Sequence, residues 1–209
     1  MAILPPDFPL SSRFYGALVR GGFRRSGELV YRTYCEGCRS CIPIRIPVDR
    51  FVSNRSQRRT WNQNQGLMIE EVPASFNEEH YRLYLRYQSH RHPGGDMEQS
   101  SAEEFIRFLG NARFEGTVFF EFRRAGLLVA VSVVDVLDDG FSAVYTFYDP
   151  ELQARGLGTF AILWQIEEVR RRGGVALYLG FWIQESKKMA YKSQFRPYEI
   201  LGKNGWQDG

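Results

Sequence analysis

The sequence has few cysteines, no long apolar run and little net charge. Its three cysteines, an odd number crowded between residues 35 and 41, do not make a disulfide framework. A reducing cytoplasm is therefore the expected setting. The longest apolar stretch, Leu127 to Val131 and on to Val134, is broken by Ser132. It is too short to cross a bilayer, so no membrane partner is expected. Ile3-Leu4-Pro5-Pro6 is too short, and too broken by proline, to be a signal peptide. No internal repeat, low-complexity tract, Ser-His-Asp set, zinc-protease helix or Walker loop is visible.

What is present fits one large or two small globular domains: 209 residues, 44% hydrophobic and 15% aromatic. The net charge of +3 is unevenly spread. Residues 1–71 hold 11 Lys/Arg against 6 Asp/Glu, and residues 72–209 hold 16 against 18. A basic N-terminal third suits a polyanion or a solvated basic face equally well. The chain divides accordingly into an N-terminal basic, Cys-containing segment, 1–71, and a second segment, 72–209.

In the first segment a helix is expected from Ser12 to Val19, stopped by Gly21-Gly22, then a hairpin around Gly27. Ile42 to Val48 reads as a short strand, and Pro43 and Pro47 suit a sheet edge. Ser53 to Trp61 reads as a basic helix. In the second segment Ser75 with Glu78, and Ser100 with Glu103, carry the capping-box pattern ahead of two helices. Three strands follow, 117–123, 127–135 and 141–148, with turn chemistry at Ala125-Gly126 and Asp139-Gly140. A Gly-containing loop, a helix from Thr159 to Arg172, a strand from Val175 to Ile183 and a basic helix ending at Pro197 complete the order. The tail from Glu199 to Trp206 adds a last strand.

Four groups of residues could carry chemistry. Cys35-x-x-Cys38-x-x-Cys41 has the spacing of soft-metal or iron–sulfur ligands, or of free thiols around a tight turn. A metal would need a fourth ligand, and His80, His90 and His92 are distant in sequence. Arg55, Arg58 and Arg59, with Asn54, Gln57, Trp61 and Asn62, offer the chemistry that grips RNA phosphates and unpaired bases. Lys188, Lys192 and Arg196 recur every fourth residue, so a helix there would carry one cationic row. Tyr145, Tyr148 and Asp149 close a strand just before the Gly-containing loop, and His90 to Met97 is a polar loop of the kind that lines sites.

The element order resembles that of the GNAT acyltransferase superfamily. Gln153-Ala-Arg-Gly156-Leu-Gly158 is similar to that superfamily's phosphate loop, where glycines admit backbone N–H groups to phosphate oxygens at a helix N-terminus. The resemblance implies an α+β fold with a mixed, mainly antiparallel sheet flanked by helices, preceded by a smaller N-terminal segment.

A narrower resemblance runs over nearly the whole chain. Gly22-Phe-Arg-Arg-Ser-Gly27, the three cysteines with Pro43 and Arg45, and Ser56-Gln-Arg-Arg59 are similar to signatures of the bacterial leucyl-tRNA–protein transferases, relatives of the eukaryotic arginyl-tRNA–protein transferases. So are Arg91-His92 with Gly95-Asp-Met97, Ala143 to Tyr148, Leu157-Gly158, Ile162 to Ile166 and Lys188-Met-x-Tyr-Lys192. The sequence departs from that pattern twice. It lacks the family's usual opening segment with a Cys-Ser-Tyr-Leu-Pro-like element, and Ser186 stands where the family often has cysteine.

The resemblance implies transfer of leucine from Leu-tRNA to proteins beginning with Asp or Glu, a mark for degradation. It implies that acetyl-CoA is not needed. No cofactor is required by that chemistry, apart from a metal or iron–sulfur site open at Cys35, Cys38 and Cys41. Tyr145 and Asp149 are then expected to position the amine and Tyr191 to help at the ester. Lys188, Lys192 and Arg196, with Gly156 and Gly158, are expected to bind substrate, and Arg55, Arg58 and Arg59 the tRNA. Two other readings stand beside it: a CoA-dependent GNAT N-acyltransferase, and a non-catalytic protein that binds RNA or a degradation signal.

Overall fold

Alternation of aromatic side chains along one strand sets up the two halves of the core. The computed structural model describes residues 1–5, 7–91, 94, 100–110 and 113–209. In β6 (Thr117–Arg124), Phe119 packs on one face of the sheet, while Phe120 and Phe122 pack on the other. The elements before it are β1 (Ala2–Ile3), α1 (Ser12–Arg20), β2 (Arg24–Ser26), β3 (Leu29–Arg32), β4 (Ile42–Pro47), α2 (Arg55–Asn64), β5 (Met68–Pro73), α3 (Glu78–Arg91) and α4 (Ala102–Leu109). After it come β7 (Leu127–Leu137), β8 (Gly140–Tyr148), α5 (Leu157–Arg171), β9 (Ala176–Trp182), β10 (Glu199–Gly202) and β11 (Gly205–Asp208).

Eight strands form one sheet in the order β11-β10-β4-β9-β8-β7-β6-β5. This is the mixed, mainly antiparallel sheet flanked by helices implied by the element order. On one face α5 buries Phe160, Leu163, Ile166 and Val169 against Phe120 and Phe122. On the other, α3 and α4 bury Tyr84 and Phe105 against Phe119 and Phe147. A second, three-stranded sheet, β1-β3-β2, is fixed to the first by a buried network. Arg25 of β2 donates to both oxygens of Asp135 on β7, at 2.8 Å each, and the Tyr15 hydroxyl donates to the same carboxylate. Deleting one partner of so buried a pair costs about 3–5 kcal/mol.

Three local expectations are corrected. β4 is not an edge strand: it lies between β9 and β10. Its prolines are tolerated because β10 pairs only with Ile44 and Arg45, leaving Pro43 and Pro47 with β9 as partner. The helix caps lie elsewhere than expected. Asn77, not Ser75, accepts the first N–H bonds of α3, and Ser101 with Glu104 forms the capping box of α4. The basic helix after β9 does not form; a short 3-10 turn, Ala190–Gln194, stands in its place. β5 has no counterpart among the expected elements. It pairs with β6 at the sheet edge, and the division at residue 71 falls within it.

Candidate active site

The sheet opens where β8 and β9 part. They run parallel and pair from Gly140–Ala176 to Ser142–Tyr178. Beyond Tyr178 the register of β9 against β4 slips, because three steps on β9 match two on β4, from Arg45–Tyr178 to Pro43–Phe181. The extra residue is taken up near Gly180, whose φ of +73° few other residues adopt without strain. Past Ser142 and Tyr178 the two strands are no longer paired, so the end of β8 carrying Tyr145 and Tyr148 and the end of β9 carrying Phe181 lie on either side of this opening in the sheet.

Four tyrosines gather there. Tyr87 of α3 lies 5.0 Å, ring to ring, from Tyr148 and 6.4 Å from Tyr145. Tyr191 lies near Tyr148 and Arg24, and burial pushes its pKa up against the opposing charge of Arg24. The Tyr145 hydroxyl accepts a 3.0 Å hydrogen bond from Gln88, and burial pushes its pKa up to about 12. It is therefore a neutral donor near pH 7, with its own proton free to give to an oxygen. Asp149 lies just past Tyr148. Its carboxylate accepts from the Glu151 N–H at 3.0 Å and pairs with Arg86 at 3.4 Å. It also lines a groove of about 730 Å³ along α3, with Asn77, Arg82 and Arg86.

The cations expected in one row are separated. Lys192 is buried and donates to the carbonyl oxygens of Leu179 and Phe181, at 2.7 and 2.6 Å. Burial first, then the charge of Arg24, pushes its pKa down to about 7. Either protonation state supplies the two donors. Lys192 thus tethers the 3-10 turn to the bulged strand. Lys188 and Arg196 are exposed, and Arg196 lies over the ring of Tyr198.

The Gly-containing loop is occupied by α2. Thr60 lies 3.3 Å from where a Cβ on Gly156 would sit, and Asn64 donates to the Arg155 carbonyl while accepting from the Arg155 side chain. Gly158 lets the first turn of α5 approach Tyr148, whose ring lies 3.3 Å from a Cβ position there. Arg55, Arg58 and Arg59 are exposed on α2, so the same helix offers guanidinium groups outward while it braces the loop. His92, Gly95, Asp96 and Met97 lie outside the described residues.

Cys35 and Cys38 are exposed thiols on one tight turn, and Cys41 is half-buried; all three are free. Hydrogen bonding at Ser40, its backbone first, holds the Cys38 thiol below its ordinary pKa. Among the described residues no group of three or more Cys, His, Asp or Glu is arranged to hold a metal ion. The three cysteines are not gathered into a metal-ligand set among the described residues. Nor is any helix among those residues long and apolar enough to cross a membrane.

Comparison with known proteins decides the family. The model of the arginine-tRNA-protein transferase C terminus matches residues 79–202, and that of its N terminus matches residues 3–59. The chain belongs to the arginine-tRNA-protein transferase family. It is 45% identical over 205 residues to the aspartate/glutamate leucyltransferase of Thiobacillus denitrificans, covering 98% of this chain and 85% of that one. It is 48% identical over 203 residues to the enzyme of the same name from Pseudomonas paraeruginosa, covering 97% and 86%. Among solved structures, FemX aligns with a TM-score of 0.60 at 9% identity, over 93% of this chain and 67% of that one. L-PGS from Bacillus licheniformis aligns with a TM-score of 0.57 at 12% identity, over 80% and 58%. These two show a shared fold.

Of the side chains that neighbour one another here, the sequence points to Tyr145, Tyr148 and Tyr191 but not to Tyr87, Gln88 or Arg24. Tyr87 and Gln88 sit in a helix whose periodicity reads as core. Arg24 is indistinguishable from Arg25 until Asp135 is seen to take only the latter.

Proposed function

We propose that this chain moves leucine from Leu-tRNA to the α-amine of proteins that begin with Asp or Glu. The observation that carries the reading is the near full-length likeness, at up to 48% identity, to relatives named for that reaction. The ester of a charged tRNA is already activated. The acceptor α-amine, with a pKa of about 8, is partly unprotonated at neutrality and can attack the ester carbonyl. An amide bond forms, the ester bond breaks, and the tRNA 3′ hydroxyl leaves with a proton from the amine. No covalent enzyme intermediate is needed.

The chain has to align the reactants and stabilise the tetrahedral oxygen. In this reading the Tyr145 hydroxyl, neutral and oriented by Gln88, donates to that oxygen or holds the amine beside Asp149. Tyr191 attends the ester from the other side of the opening. Arg55, Arg58 and Arg59 meet tRNA phosphates on α2, while Lys188 and Arg196 are cations at the rim. Gly156 and Gly158 bring α5 against α2 and Tyr148, and α2 packs on the loop through Thr60 and Asn64. The new leucine would mark its acceptor for degradation, and the setting would be the cytoplasm, where charged tRNA is found.

The donor is tested by offering labelled Leu-tRNA and labelled acetyl-CoA in parallel to a peptide beginning with Glu. Label from Leu-tRNA supports the reading. Label from acetyl-CoA alone would replace it with an ordinary N-acyltransferase.

A further inference from the structure

Two adjacent arginines on β2 meet opposite fates. Arg25 points into the protein and is spent on Asp135. Arg24 points to the opposite side, as successive strand residues must. No carboxylate of the described residues lies within ion-pair distance of it. Its guanidinium lies over the Phe181 ring, 5.8 Å from the centroid. Its Nη1 and Cζ come within 3.2 and 3.4 Å of where a Cβ on Gly180 would sit. Arg24 therefore reaches the bulge that opens β9, where only a glycine leaves it room. It is also near enough to Lys192 and Tyr191 to act on both electrostatically.

We propose that Arg24 is the carboxylate-binding residue of the transfer site, taking the acidic side chain of the acceptor's first residue. The inference rests on the leucyl-transfer reading. A guanidinium presents two parallel N–H donors to a carboxylate, and stacking on an aromatic face fixes the plane of that fork. The α-amine and the side-chain carboxylate of Asp or Glu are a few bonds apart. A cation at the lip of the opening can therefore hold one while the other enters. Lys192, the cation nearest to it on the 3-10 turn, suits the task less well because it is committed to backbone carbonyls. An Asn or Gln first residue would leave the guanidinium without an anion, which gives the site a basis for discrimination.

The test uses the full chain, Leu-tRNA and two peptides that differ only in beginning with Asp or Asn. Arg24→Gln should lower the ratio of kcat/KM for Asp over Asn at least tenfold, with the Kd for Leu-tRNA within twofold of the parent. Arg24→Lys, which keeps the charge without the fork, should recover part of the ratio. Thermal unfolding of both variants should stay close to the parent, because Arg24 has no ion pair among the described residues to lose and its stacking on Phe181 contributes only about 0.5–1 kcal/mol. An unchanged ratio in Arg24→Gln, or an equal loss with both peptides, would overturn the assignment. Absence of any transfer by the parent chain would overturn the leucyl-transfer reading first, and this inference with it.

Discussion

The Lys192 ammonium nitrogen lies 2.7 Å from the carbonyl oxygen of Leu179, and this bond joins the 3-10 turn to the strand that opens the site. A second bond to the Phe181 carbonyl, at 2.6 Å, straddles the bulge at Gly180. Lys192→Met keeps an unbranched apolar stem and removes both donors. It should destabilise the chain by about 2–6 kcal/mol, since each of the two buried carbonyls left unpaired costs about 1–3 kcal/mol. Urea unfolding measures it. The Asp-over-Asn preference of the surviving folded enzyme should stay within twofold of the parent if both donors of this lysine remain on the two carbonyls.

Tyr145→Phe removes one hydroxyl and leaves the ring packing against Tyr84, Tyr87 and Phe108 in place. If that hydroxyl donates to the tetrahedral oxygen, single-turnover transfer should slow by roughly 100-fold. The Kd for Leu-tRNA should be unaffected. Equal slowing and weakening of tRNA binding would make Tyr145 a packing residue only.

The helix α2 makes two separable contributions. Its inner side, through Asn64 and Thr60, braces the loop before α5. Its exposed Arg55, Arg58 and Arg59 meet phosphates in the proposed complex. Replacing all three with Gln should weaken Leu-tRNA binding and make the slope of log affinity against log salt shallower by about 2–3. Peptide KM at saturating Leu-tRNA should not change.

Glu168 gives a pH signature of folding. Its hydrogen bond to Arg171, joined by one to Arg172 and working against burial, holds its pKa below the ordinary 4.5. A carboxylate depressed in the folded state stabilises above the unfolded pKa. That stability is lost as pH falls through the lower, folded value. Glu168→Gln should therefore cost about 1–2 kcal/mol near pH 7 and progressively less below about pH 4, as read by urea unfolding at each pH.

The parts of this fold that were legible in the sequence are those decided locally. The strands β6, β7 and β8 follow from their apolar patterning and turn residues, and α5 from its apolar face. The caps shifted by a residue or two because the sequence offers overlapping solutions: Ser100-Ser101 with Glu103-Glu104, and Asn77 beside Ser75. The cationic row was lost to tertiary structure. A period of four from Lys188 to Arg196 satisfies a helix, but the carbonyls freed at the bulge draw Lys192 inward and the turn winds around that bond. β4 looked like an edge strand because its prolines are local, whereas its neighbours come from residues 176–182 and 199–202. The difference between Arg24 and Arg25 depends on Asp135, 110 residues away from Arg25. No local pattern encodes it.

The most direct measurement is mass spectrometry of three peptides, beginning with Asp, Glu or Arg, after incubation with the chain and Leu-tRNA. The expected result is one leucine residue added at the α-amine of the Asp and Glu peptides, and none on the Arg peptide. Leucine on all three alike, or on none while Leu-tRNA is bound, would contradict the reading of this site as an acid-selective leucyl transfer centre.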